Sequence, residues 1–248
     1  MPPESVKSPN SSQSGQKGIT TSVAGRLGNQ MFQYAYPRIR AEELGLPFRL
    51  VVPEVSKRFD GIIESSGEAD SYAVIPGGPF YHEQKECIES LVGYREDVRG
   101  WFPMTSYGRE FLDDVGDPPV VNFRGKEFLS PGWRWNLREE YYHRAMKKLT
   151  GKPIVITDDP RYAKKIFKDC EAFNSEDDMS ILAHARELVC SYSTYCWWGA
   201  FLGDHDVVVV PDQGFLFKES SRLMGWTTSP AATAIGAVSS IIVNREVR

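Results

Sequence analysis

Apolar positions along this chain alternate between short continuous runs and helical spacing. Apolar runs predict strands at residues 18–24, 48–52, 120–123, 153–157, 188–191 and 207–210. Helical spacing predicts helices at residues 28–44, 137–149, 161–168, 178–185 and 194–202. Because strands alternate with helices, the pattern indicates an α/β chain with parallel sheets.

The pattern also predicts two halves that divide near Pro118. Residues 54–118 are less regular, with breakers at Gly77-Gly78-Pro79 and Asp117-Pro118-Pro119, whereas the alternation is clear from Val120 onward. We therefore expect a disordered segment at 1–18, which is rich in Ser, Pro, Gln and Gly, followed by α/β halves at 19–118 and 119–248. A ligand should lie at the carboxyl ends of the strands, in the cleft between the halves.

Composition narrows the class of protein. The 248 residues are 41% hydrophobic, and a formal net charge of −4 argues against a nucleic-acid binder. No apolar run approaches the roughly 18 residues of a membrane span, and the N-terminus lacks a signal-peptide core. These features predict a cytoplasmic protein without a transmembrane segment, and peripheral membrane association stays open. Cys190 and Cys196 are expected to be buried thiols.

The stretch from Ser191 to Leu202 carries the clearest chemical signal. It follows a strand-like run and opens a helix that Ser193 or Thr194 caps. The N–H groups, dipole and hydroxyls at such a helix start favour an anion. The alternative is an ordinary N-cap on a buried helix.

Two other strand ends add to this signal. Gly25 to Gln30 joins the first strand to the first helix, where two glycines permit either a sharp turn or the close approach of a ligand. Arg124 and Lys126 follow the strand at 120–123, and these cations suit phosphate recognition. A solvated charged turn is the alternative for the second segment.

Carboxylates begin two of the predicted helices. Asp158 and Asp159 precede Pro160 and are interpreted as caps, because the spacing of a D-x-D metal motif is absent. No metal ligands and no cofactor are predicted. Asp178 stands at the start of another helix, where it either complements the helix dipole or accepts hydrogen bonds from a guanine edge.

Taken in order, these segments resemble the α-1,2-fucosyltransferase family, glycosyltransferase family 11. The family's opening G-G-L-G-N-Q-M-F-Q-Y-A is similar to residues 25–35, and its H-x-R-R-G-D-Y to residues 122–128. Its F-S-D-D is similar to residues 156–159, and its N-S-T-F-S-W-W to residues 192–198. A further segment, G-Y-F-Q-x-x-x-Y-F, resembles Gly93-Tyr94 followed by Trp101-Phe102. The resemblance covers about residues 19–215.

The resemblance implies a GT-B-like fold, with two Rossmann-like halves facing across a cleft. It also implies inverting transfer of L-fucose from GDP-β-L-fucose to a sugar hydroxyl, commonly the 2-OH of galactose, without an obligatory metal. The implied partners are therefore GDP-fucose and a glycan acceptor with a terminal galactose.

The resemblance also implies roles for individual residues. Arg124 would bind the β-phosphate, Ser193 and Thr194 would hold phosphate oxygens, and Asp178 would contact guanine. Gly28 and Asn29 would line the cleft. Glu127 takes the place of the family's aspartate and is the candidate base, with a structural carboxylate as the alternative.

This chain departs from the family at two positions of the central motif. Asn122 stands where the family has histidine, and Gly125 where it has a second arginine. Asn122 keeps a predicted place in the binding site, and Lys126 is the candidate replacement for the missing cation. The departures leave open a degenerate member that binds nucleotide or glycan without turnover, or a transferase that uses another donor.

Overall fold

The computed structural model describes residues 15–51, 57–75, 78–125 and 137–230. Its strands form two parallel sheets, one of three strands and one of six. All described strands of the first sheet lie before Pro118 and all of the second lie after it. The predicted α/β fold with two Rossmann-like halves is thus confirmed, while the exact domain limits stay a prediction.

The first half is built on the three-stranded sheet, in the order β2-β1-β3. Its strands are β1 (Lys17–Ser22), β2 (Phe48–Val51) and β3 (Ser71–Val74), and its helices are α1 (Leu27–Leu44), α2 (Lys85–Gly93), α3 (Arg95–Trp101) and α4 (Tyr107–Asp114). A short 3-10 segment, Gly78–Glu83, packs against α1. Because β1 begins at Lys17, the last two residues of the segment predicted as disordered are strand.

The second half is built on the six-stranded sheet, in the order β6-β5-β4-β7-β8-β9. Its strands are β4 (Val120–Phe123), β5 (Ile154–Thr157), β6 (Ala172–Phe173), β7 (Glu187–Val189), β8 (Val207–Pro211) and β9 (Thr227–Ser229). Its helices are α5 (Glu139–Met146), α6 (Pro160–Ile166), α7 (Asp178–His184), α8 (Thr194–Leu202) and α9 (Phe215–Met224). All four residues of β4 and of β5 are buried, as expected for parallel strands covered on both faces.

A continuous apolar core joins the halves through α1 and α8. The Phe32 ring centroid of α1 lies 4.7 Å from that of Trp197 and 4.8 Å from that of Trp198. Both tryptophans are fully buried, so the helix that the sequence marked as most informative lies at the centre of the molecule. Cys190 and Cys196 are buried free thiols, which confirms that prediction.

The region described as irregular from sequence contains more structure than expected. It forms β3 and the helices α2, α3 and α4, the last of which packs on α7 of the second half. These helices have seven to nine residues each, so the apolar periodicity extends over too few turns to stand out. Within the described ranges, no helix is both long and apolar enough to span a bilayer.

Candidate functional site

A cavity of about 940 Å³ opens between the two halves. Its wall combines the start of α1, the 3-10 segment, the end of β4, the start of α8 and the start of α9. The residues that line it are Gly25, Arg26, Leu27, Gly28, Asn29, Phe80, His82, Glu83, Arg124, Tyr192, Ser193, Thr194, Tyr195, Phe215, Leu216 and Phe217. This volume lies within the range of small-molecule sites and is large enough for a nucleotide sugar.

The turn from β1 into α1 is fixed by its own side chains. Gly25 has φ of +83°, a conformation that glycine adopts without steric cost. The Gln30 side chain donates to the Gly25 carbonyl at 2.8 Å, and the Ala24 N–H donates to Gln33 Oε1 at 2.6 Å. Arg26 is the N-cap of α1 and gives no side-chain cap. The first N–H groups of α1 therefore have no side-chain acceptor from their own N-cap.

The start of α8 meets the start of α1 directly. Ser193 is the N-cap, and its Oγ accepts a hydrogen bond from the Tyr195 N–H at 3.2 Å. The Thr194 hydroxyl donates to Asn29 Oδ1 at 2.8 Å, and Trp198 Nε1 donates to the Gly28 carbonyl at 2.9 Å. Two hydrogen bonds thus join α8 to α1, and both helix N-termini line the cavity.

Gly28 is required by this contact between helices. A Cβ atom at position 28 would lie 2.6 Å from the Tyr195 nitrogen and 2.8 Å from the Thr194 carbonyl carbon. Both of these atoms are backbone, so they cannot swing aside. The sequence left open whether the two glycines of this segment serve a turn or a ligand. Gly25 makes the turn, and Gly28 admits a neighbouring helix.

Arg124 is brought to the cavity by the end of β4. Its side chain is 17% exposed, and its Nε lies 3.7 Å from Asp158 Oδ2. The same carboxylate accepts a hydrogen bond from the Gly125 N–H at 2.7 Å, so Asp158 fixes both the guanidinium and the backbone after it. Burial lowers the pKa of Arg124, Asp158 opposes this effect, and the positive charge of Arg26 adds to it.

These elements concentrate positive potential on one space. The starts of α1 and α8 each contribute the positive end of a helix dipole, and Arg26 and Arg124 add two guanidinium groups. A cation at a helix start is unfavourable when alone, and two nearby cations repel each other. An anion with several oxygens would relieve both effects, and bidentate guanidinium contacts suit a phosphate.

Five of the residues singled out from sequence line this cavity, namely Gly28, Asn29, Arg124, Ser193 and Thr194. Thr194 donates its hydroxyl proton to Asn29, and the Tyr195 N–H donates to Ser193 Oγ. The Ser193 hydroxyl and the other N–H groups of the first turn of α8 remain as candidate donors for an anion. Asn122 and Asp178 do not line the cavity. Lys126 and Glu127 lie outside the described residues, so their roles stay predictions from sequence.

Asn122 is buried between neighbouring strand ends. Its Oδ1 accepts a hydrogen bond from the Ser191 hydroxyl at 2.5 Å, and its Nδ2 donates weakly to the Ile156 carbonyl at 3.5 Å. The side chain is directed along the sheet edge, with only 3% of the residue exposed. In this state it supports the strand ends around the cavity, and its predicted contact with a ligand stays untested.

Asp178 lies in the first turn of α7, and its charge acts on the Tyr195 hydroxyl. Its Oδ1 accepts a hydrogen bond from the Ser175 N–H at 2.9 Å, while Asp177 takes the N-cap position. Burial raises the pKa of Asp178 to about 6, although the Ser175 hydrogen bond opposes the shift. A carboxylate kept where ionisation is disfavoured is a candidate for function.

We expect Asp178→Asn to stabilise the protein near neutral pH. Since the pKa of Asp178 is higher in the folded protein than in the unfolded chain, the free energy of unfolding falls as pH rises between the two values. The variant should gain about 1–2 kcal/mol at pH 7.5 and less at pH 5. Urea unfolding at both pH values measures this difference, and an equal gain at both would contradict it.

The adjacent carboxylates at the end of β5 have separate structural roles. Asp159 caps α6 by accepting from the Tyr162 N–H at 3.1 Å, and Pro160 takes the first helical position, as the sequence predicted. Asp158 was also interpreted as a cap from sequence, which is wrong: its carboxylate turns to Arg124 and the Gly125 N–H, and Asp159 alone caps α6. In the part of the chain that the structure describes, no three His, Cys, Asp or Glu side chains cluster as metal ligands would.

Several residues of the cavity wall were not identified from sequence. Arg26 stands where the family motif has its second glycine, and His82, Glu83 and Phe80 belong to the region interpreted as irregular. Arg26 could have been identified from sequence because it is a charged residue within a glycine-rich turn. The other three reach the cavity only because the 3-10 segment packs beside α1, which a linear pattern does not encode.

Comparison of this chain with known proteins gives matches among solved structures. No protein-family model and no curated protein matches this chain. Among solved structures, the chain is similar to E. coli heptosyltransferase WaaC with ADP, with 12% sequence identity and a TM-score of 0.43. The similarity covers 92% of this chain and 99% of that chain. At this distance neither a substrate nor the role of a residue can be transferred.

Proposed function

We propose that this protein is an inverting glycosyltransferase that moves L-fucose from GDP-β-L-fucose to a sugar hydroxyl, the 2-OH of a galactoside. The observation that carries the transferase activity is the convergence of two helix N-termini and two guanidinium groups on one cavity between two α/β halves. The choice of fucose as donor sugar is supported by the four motifs that resemble the α-1,2-fucosyltransferases.

The geometry suits the chemistry of a leaving nucleoside diphosphate. In the reaction the acceptor oxygen bonds to the anomeric carbon while the bond from that carbon to the β-phosphate oxygen breaks. The electron pair leaves with GDP, so negative charge grows on the diphosphate. Arg124, Arg26 and the starts of α1 and α8 surround the space where this charge would lie. Such fixed donors stabilise a transition state without reorganising.

In this proposal, Arg26 replaces the arginine that the family motif has at position 125 and that this chain lacks. The family motif has a second arginine where this chain has Gly125, and a Cβ atom there would lie 2.8 Å from the Cβ of Asp159. The local packing therefore excludes a side chain at position 125. Arg26 supplies a second guanidinium from the opposite half, and its charge acts on Arg124.

In this proposal guanine would occupy the side of the cavity nearest α7. Tyr195 lines the cavity, where burial raises the pKa of its hydroxyl and the negative charge of Asp178 adds to the shift. A carboxylate at this position matches the two N–H donors of a guanine edge. Hydrogen bonds from guanine would then add to the one from Ser175 and offset the cost of burying the Asp178 charge when GDP binds.

Two measurements on the purified chain test the proposal. Calorimetric titration with GDP should show binding, and GDP-fucose incubated with a panel of galactosides should release GDP faster than GDP-fucose alone. Arg161 is exposed on α6 and away from the cavity, so Arg161→Ala serves as a charge-matched control for the arginine variants. Failure to release GDP with any acceptor would contradict the transferase assignment.

A second candidate function is a nucleotide- or glycan-binding protein without turnover. It is favoured by Asn122, whose side chain is engaged between strand ends where the family has a histidine. The same two measurements separate the candidates, because this protein would bind GDP and leave GDP-fucose intact. Release of GDP from a different GDP-sugar would instead show that this sugar nucleotide, and not GDP-fucose, is the donor.

Activity should survive chelation. The charge of the diphosphate is balanced by guanidinium groups and helix N-termini, so no divalent cation is needed for this purpose. We expect the GDP release rate in EDTA to stay within about twofold of the untreated rate, since none of the proposed steps uses a metal. Loss of the rate on chelation and its recovery with manganese or magnesium would show that metal independence is wrong.

A further inference from the structure

The cavity wall also contains a histidine that the mechanism has not used. His82 belongs to the 3-10 segment of the first half, and its ring centroid lies 5.5 Å from that of Phe32 and 6.2 Å from that of Phe80. Phe32 is fully buried and Phe80 is 57% exposed. The imidazole is therefore held between the apolar core and the open cavity.

His82 differs from the structurally bonded histidines of this chain. The Nδ1 of His184 lies 2.8 Å from the Ser180 carbonyl, and the Nδ1 of His205 lies 2.6 Å from the Ala185 carbonyl. The Nδ1 of His82 is buried and has no hydrogen-bond partner among the described residues. Most buried polar atoms have a hydrogen-bond partner. An imidazole nitrogen without one, in a residue that lines a cavity, therefore indicates a functional role and not a structural hydrogen bond.

Electrostatics keep this imidazole neutral and ready to accept a proton. Burial lowers the pKa of His82, and the negative charge of neighbouring Glu83 opposes the shift. At neutral pH the ring is therefore uncharged, which is the form that a base requires. Glu83 also lines the cavity and would stabilise the imidazolium once it forms. The other charged groups that line the cavity are Arg26 and Arg124.

The same side of the cavity offers an apolar surface to an acceptor. Phe80 and Phe215 are 57% and 40% exposed, which is unusual for such large apolar side chains, and both line the cavity. A sugar ring presents an apolar C–H face that packs on aromatic rings while its hydroxyls remain free. The ring of Phe80 lies beside that of His82, with 6.2 Å between the centroids.

We propose that His82 is the general base of the reaction, with the acceptor sugar packed against Phe80 and Phe215. This assignment rests on the proposed function. As the acceptor oxygen bonds to the anomeric carbon, its proton passes to the unprotonated ring nitrogen of His82, and the electron pair of the broken bond leaves on GDP. One C–O bond forms, one breaks and one proton is transferred, so the step needs no other reactant.

The test compares His82→Ala and His82→Gln with His143→Ala, a matched control at an exposed histidine on α5. Each variant is assayed for GDP affinity by calorimetry and for GDP release between pH 5 and pH 9. We expect both His82 variants to lose about 100-fold or more in kcat while GDP affinity stays within about twofold, because only proton transfer is removed. His143→Ala should match the wild type.

The pH profile distinguishes proton transfer from packing. In the wild type, kcat should fall on the acid side as His82 becomes protonated, and this fall should be absent from the residual activity of the His82 variants. Glu83→Gln removes the charge that raises the pKa of His82, so the acid fall should move to lower pH. His82→Gln retains a polar side chain of similar size, which guards against a simple packing defect.

The remaining outcomes distinguish a wrong assignment of His82 from a wrong proposed function. If GDP release persists in both His82 variants within threefold of the wild type, His82 is not the base and the transferase function stands. A large loss in Glu83→Gln or Glu127→Gln instead would give that role to a carboxylate. If the wild type binds GDP but releases none with any acceptor, the proposed function itself is wrong and the assignment of His82 falls with it.

Discussion

Arg124→Ala should weaken GDP binding and nearly abolish GDP release. Arg124 is 17% exposed, lines the cavity and is held by Asp158, so its guanidinium is already positioned before a ligand arrives. We expect GDP affinity to fall about 10- to 100-fold, the equivalent of a charge-assisted hydrogen bond or two. Turnover should fall about 100- to 1000-fold, because the charge on the leaving diphosphate is greatest in the transition state.

The lysine variant at this position separates charge from geometry. Arg124→Lys keeps the positive charge but loses the planar fork that contacts two phosphate oxygens. Its affinity and rate should therefore lie between those of the wild type and Arg124→Ala. Arg161→Ala should leave both quantities unchanged, because Arg161 lies on the exposed surface of α6. Wild-type affinity in Arg124→Ala would remove this residue from the phosphate site.

Gly28→Ala should destabilise the protein and impair GDP binding together. The new methyl group would meet backbone atoms of α8 at 2.6 and 2.8 Å, so α1 and α8 must move apart. Overpacking of this kind typically costs about 1–3 kcal/mol. The movement would also weaken the hydrogen bonds that join Thr194 to Asn29 and Trp198 to Gly28. Thermal unfolding and GDP titration of the same preparation measure both effects.

Gly100→Ala provides the matched control for this prediction. Gly100 lies within α3, and a Cβ atom there would have no atom within 4 Å apart from its own helix and its chain neighbours. Alanine is favoured over glycine in a helix, so the variant should be neutral or more stable by about 0.5–1 kcal/mol. If Gly28→Ala behaved like Gly100→Ala, the close packing of α1 on α8 would not govern the site.

The second half could be predicted well because local sequence decides its elements. The helix predicted at 194–202 is α8 with the same limits, and Ser193 is its cap. Short β-branched runs gave β4, β5 and β8, each within one or two residues of its observed ends. In the first half, α4 packs on α7 so closely that a Cβ atom at Gly108 would lie 2.2 Å from the Ser180 carbonyl oxygen. Such packing stabilises a short helix without leaving a periodic pattern.

The site was predictable where it depends on strand ends and not where it depends on contacts between segments. Arg124 and Ser193 follow strands directly, and parallel strands place their carboxyl ends at one edge. Asn122 also lies near such an end, but its side chain bonds to Ser191 within the sheet. Arg26 and His82 join the site only when the two halves meet, so no local pattern could have placed them beside Arg124.

The junction of α1 with α8 also has a consequence for how the chain folds. The hydrogen bonds of Asn29 with Thr194 and of Gly28 with Trp198 join residues that are 165 and 170 positions apart. Contacts this distant in sequence carry a large loop-closure entropy and form late, after local structure has reduced the search. The proposed anion site should then be among the last parts of the molecule to become complete. Neither half expressed alone should bind GDP. GDP added during refolding should change the rate of the final folding step and leave the rate of the initial collapse unchanged.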